Sequence, residues 1–116
     1  MEENELIEYW TDLIDPIFPS DGKMHYYPAK SNFYFDISWR RETGFNKFFP
    51  AIQIIIEREF IEDYLGESER IWSAIDDKLI GFIKSKLSMF NPHPDKPVEI
   101  WYVPSTIIRD AKKTVR

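Results

Sequence analysis

Two nine-residue stretches of alternating hydrophobicity constrain this fold more than any other feature of the 116-residue chain. From Asn32 to Arg40, Phe33, Phe35, Ile37 and Trp39 alternate with Tyr34, Asp36, Ser38 and Arg40. A period of two puts one set on each face of a pleated strand. From Ala51 to Glu59, Ile52, Ile54 and Ile56 face one way, and Gln53, Ile55, Glu57 and Glu59 face the other. The connector Arg41-Glu42-Thr43-Gly44 turns the chain, so the two stretches are predicted to pair antiparallel. Pro50 has no N–H for a ladder and marks a strand start or an edge.

Helical periodicity brackets this pair. Leu6, Tyr9/Trp10, Leu13 and Ile17 recur at helical spacing after Asn4, with Ile7, Trp10 and Ile14 as a second row. Asp15-Pro16 ends that helix, because proline pushes its predecessor out of the helical region. Helix one is expected over about 5–15. Pro19-Ser20-Asp21-Gly22 is a turn, and Met24 to Tyr27 a short strand limited by Pro28. Ile71, Ile75, Leu79, Phe82/Ile83, Leu87 and Phe90 form the stripe of a long helix near 69–90, terminated by Asn91-Pro92. Val98 to Val103 is a last strand of open pairing sense, and Ser105 begins a short C-terminal helix, 106 to about 113. The expectation is one α+β domain over 1–116. Its order is α-(β)-β-β-α-β-α, with a three- or four-stranded, mainly antiparallel sheet.

Composition excludes whole chemistries. No cysteine is present, which removes disulfide scaffolds, thiolate metal sites and cysteine nucleophiles, and agrees with a reducing compartment. The chain starts MEENELIEYW, without a basic front or an apolar stretch, and its longest aliphatic run is Ile54-Ile55-Ile56. A soluble, cytoplasmic protein is the expectation. The net charge is −5 and it is unevenly placed: residues 1–22 hold seven acids and no base. The last twelve residues hold four bases and one acid.

Catalytic signatures are missing. His25 and His93 lie in different segments without metal-ligand spacing, and Asp76 and Asp77 are helix neighbours that diverge. The four glycines are isolated, so no phosphate cradle is formed. No catalytic residue, metal or cofactor is assigned. His93-Pro94-Asp95-Lys96 resembles the HPDK loop of J-domain co-chaperones. The resemblance covers four residues. The preceding helix is barely basic, and a strand rather than a helix is expected next, so the segment reads as a stiff crossover.

The stretch that points to binding runs from Trp39 to Phe49. Trp39, Arg40, Arg41, Phe45, Lys47, Phe48 and Phe49 combine aromatic surface with positive charge, a pairing enriched at protein interfaces. Single-stranded nucleic-acid binders use it too, but the acidic net charge opposes that. On the outer sheet face, Ile55 and Trp101 are expected as apolar residues on the wrong side. The leading functional expectation is a non-enzymatic protein-binding module that contacts a protein partner or itself, without nucleic acid or membrane. The alternatives are an acidic inhibitor or immunity-type protein that neutralises a basic partner, and a small hydrolase with a helix–sheet pocket around His25.

Overall fold

The computed structural model describes residues 1–43 and 46–115. It is α+β. Helix α1 (Glu3–Ile14) runs into a single 3-10 turn, Asp15–Ile17, at Pro16. Strands β1 (Lys23–Pro28) and β2 (Asn32–Ser38) follow, and then a small hairpin, β3 (Arg41–Thr43) and β4 (Asn46–Phe48). Strand β5 (Ala51–Glu57) leads directly into α2 (Arg58–Leu65) and then the long α3 (Glu69–Met89). Strand β6 (Val98–Tyr102) and α4 (Thr106–Thr114) end the chain.

The main sheet has the order β1-β2-β5-β6. The predicted hairpin is present: β2 and β5 are antiparallel, with Phe35 opposite Ile54 and Ile37 opposite Ile52. The last strand pairs parallel to β5, with Ile54 beside Trp101. Two prolines frame it, Pro97 before and Pro104 after. The crossover that brings it back is α2, α3 and a tight turn at His93–Lys96, in which the Lys96 N–H donates to the His93 carbonyl at 2.9 Å. Pro94 at the second position presets that turn.

All four helices pack on one sheet face. Phe33, Phe35, Ile37, Ile52, Ile54, Ile56 and Trp101 form its floor, and Leu6, Trp10, Ile61, Ile75, Leu79, Ile83 and Ile108 close over it.

Three sequence expectations need correction. The second long strand ends at Glu57 rather than Glu59, because Phe60, Ile61 and Tyr64 turn inward as one side of α2. The stretch after Trp39 is a hairpin of its own rather than a plain connector. Trp101 points into the core, 1% exposed, because the parallel register puts it on the same face as Ile54.

One residue ties the new helix to the sheet. The Arg58 guanidinium donates to the Ala29 and Lys30 carbonyls, each at 3.2 Å, and lies 4.6 Å from the centre of the Phe33 ring. Its backbone N–H donates to the Ser31 carbonyl at 3.0 Å. The start of α2 is thereby clamped to the β1–β2 turn. At Gly22 space is the constraint: an added Cβ would sit 2.9 Å from the Pro19 carbonyl oxygen, the acceptor of the Gly22 N–H.

Candidate binding surface

Side chains alternate across a pleat, so the sheet face turned away from the helices is fixed by register. Three rows cross it. The first is Lys23, Ser38, Ala51 and Val98. The second is His25, Asp36, Gln53 and Ile100, and the third Tyr27, Tyr34, Ile55 and Tyr102. The first two rows surround a hollow of about 430 Å³ that none of the described helix residues lines.

The third row is held in place. Tyr27 and Tyr34 stack with ring centres 5.0 Å apart, and the Gln53 amide donates to the Tyr27 hydroxyl at 3.0 Å. Burial, and then the nearby Asp36 carboxylate, push the Tyr27 phenol up from its ordinary value. In the middle row His25 sits opposite Asp36, but no hydrogen bond joins them among the described residues. The Asp36 Oδ1 atom is buried and has no hydrogen-bond partner among the described residues. At the β6 end the surface is apolar and open: Val98 is 56% exposed, Ile100 51% and Tyr102 65%.

The residues singled out from the sequence do not gather into one surface. Trp39 is half-buried, 5.9 Å from the Phe18 ring and 6.0 Å from the Phe90 ring. Phe48 is buried, Phe49 is exposed, and Phe45 lies outside the described residues. Arg40 is exposed and pairs with Glu42 at 2.6 Å, while Arg41 and Lys47 are exposed on the small hairpin. Trp101 packs against Phe18 and Phe90 and donates its indole N–H to Glu99 at 3.0 Å. Its expected place on the outer face is taken by Val98, Ile100 and Tyr102, which the run VEIWYV hides because it has no polar alternation to fix its parity.

His25 lies on the open face and not between helix and sheet, which corrects the pocket expected around it. A second hollow, about 600 Å³, lies between α1 and α3 beside Tyr9, Asp76 and Lys84. Its buried carboxylate is already engaged: Asp76 accepts from the Tyr9 hydroxyl at 2.8 Å, the Trp10 indole at 3.2 Å and the Tyr64 hydroxyl at 3.0 Å. No group of His, Asp or Glu able to hold a metal ion occurs among the described residues. No described helix is long and apolar enough to cross a membrane.

No family model, curated protein or solved structure matches the chain.

Proposed function

We propose that the protein is a non-enzymatic protein-binding module whose contact surface is the open sheet face at its β6 end. The observation that supports this is the row Val98, Ile100 and Tyr102, three large apolar side chains that are all more than half exposed on one strand. Exposed apolar residues grouped in this way are typical of association surfaces. The lack of cysteine favours work in the cytoplasm. The basic loop is a weaker candidate, because Trp39 and Phe48 turn inward and Arg40 is paired within the chain.

A photoreactive amino acid in place of Tyr102, in the native cell, tests the reading. We expect a discrete protein adduct at 102 and none from the same group at exposed Glu62 on α2. Equal labelling at both positions, or none at 102, contradicts the proposal.

The hollow favours a second reading, a small hydrolase, because His25, Asp36 and Ser38 line it together. Ester turnover that disappears in His25→Ala supports that reading, and turnover unchanged by the substitution rejects it.

A further inference from the structure

We infer that β6 pairs antiparallel with β6 of a second copy, joining two four-stranded sheets into one of eight strands. The inference rests on the proposed binding face and names its occupant. The Ala51 N–H donates to the Pro97 carbonyl and the Val103 N–H to the Ile55 carbonyl, each at 3.0 Å. In a parallel ladder this phase turns the Pro97 carbonyl, the N–H and C=O groups of Glu99 and Trp101, and the Val103 N–H toward β5. The N–H and C=O groups of Val98, Ile100 and Tyr102 therefore point to the free edge, where no described element of the chain pairs with them.

That edge is self-complementary. With Ile100 opposite Ile100 on a two-fold axis, Val98 of each copy meets Tyr102 of the other. All the outward groups of both strands are then paired. The only charged side chain in the strand, Glu99, lies opposite Trp101 rather than its own counterpart, so no like charges face each other. On the open face Tyr102 of the second copy stands beside Val98, at the rim of the hollow that Val98 and Ile100 line. Pro97 and Pro104 limit the pairing window to these five residues. The opposite edge of the sheet is guarded: β1 begins at Lys23 and ends at Pro28, features that discourage edge pairing, whereas β6 contains neither Lys nor Pro. A two-fold dimer closes through an isologous contact, the same self-complementary patch on both copies, and this strand supplies such a patch.

The test is the solution mass of the full chain by light scattering, with sedimentation for the dissociation constant. We expect a dimer of the 13.9 kDa chain at high micromolar concentration. Ile100→Lys sets two ammonium groups against each other on the axis and should raise the dissociation constant at least ~100-fold. Its thermal unfolding should stay cooperative, since the residue's backbone groups make no bond to β5. Ile100→Cys, which introduces a lone thiol, should form a disulfide-linked dimer under mild oxidation, whereas Glu62→Cys should not. The cross-link reads the register even if Ile100→Lys fails to fold. A monomeric wild type, or a dimer whose dissociation constant Ile100→Lys leaves unchanged, overturns the inference. A monomer that still forms an adduct with another protein through position 102 overturns self-pairing alone and leaves the binding-module reading standing.

Discussion

Asp76 holds three helices together, and no salt bridge reaches it among the described residues. Its two oxygens accept from Tyr9 and Trp10 of α1 and from Tyr64 of α2, so a residue 6% exposed has its hydrogen bonds made. Burial pushes its carboxyl up from the ordinary value, against the three donors that pull it down. The folded chain thus holds this proton more tightly than the unfolded chain does, and the penalty of burying the charge lifts as pH falls through the raised value. Tyr9 is pushed up to about 12, first by its bond to Asp76 and then by burial. Its contribution to stability is complete below pH 10 and declines as pH rises from there toward about 12. Asp76→Ala leaves buried donors unpaired and should cost ~2–5 kcal/mol in urea unfolding. Asp76→Asn should bring Tyr9 ionisation, followed by absorbance at high pH, back toward that of a free phenol. An unchanged titration would show that Asp76 does not hold the Tyr9 proton. The sequence placed Asp76 and Asp77 on the long helix and read them as a failed metal pair. Nothing in the spacing of Tyr9, Trp10 and Tyr64 announces that they converge on one carboxylate across 12 to 67 residues.

At the scale of elements, the alternation in β2 and β5 was enough to predict their pairing, and the helical stripe enough to predict α3. Ile54 is fully buried, and Ile54→Ala should cost roughly 2–5 kcal/mol in chemical denaturation. A loss below about 1 kcal/mol, typical of surface positions, would contradict that packing. The α2 helix was illegible because Glu57-Arg58-Glu59 continues the polar alternation of the strand, and no side-chain cap bond marks the helix start. Its signal was the spacing of Phe60, Ile61 and Tyr64, with the Arg58 clamp supplying what a cap would. Arg58→Ala should cost ~1–2 kcal/mol through the lost carbonyl bonds and ring contact. Urea unfolding within a few tenths of wild type would show that the clamp is replaceable. The parallel sense of β6 was not legible, because it depends on where α3 and the His93–Lys96 turn deliver the chain. The parity of Trp101 depends on that sense. For the same reason the outer face was expected to carry Trp101, and only Ile55 of that pair lies on it.

At the scale of the whole molecule, helices cover one side of the sheet and leave the other open, with an edge strand whose outward backbone groups have no strand partner among the described residues. Charge is polarised as the sequence indicates: Glu5, Glu8 and Asp12 are exposed on α1, and Lys112 and Lys113 near the end of α4. A contact made through β6 is apolar and backbone-mediated, so its dissociation constant should change less than ~3-fold between low and molar salt. Marked weakening with salt would instead point to the acidic helix or the basic hairpin. The most direct measurement is residue-resolved amide exchange across 98–102, compared between wild type and Ile100→Lys. All five amides of the wild type should be slow. In the variant Glu99 and Trp101 should stay slow, because they donate to β5, while the amides at 98, 100 and 102 become fast. Fast exchange at 98, 100 and 102 in concentrated wild type, or equal protection of all five amides in the variant, would contradict pairing through β6.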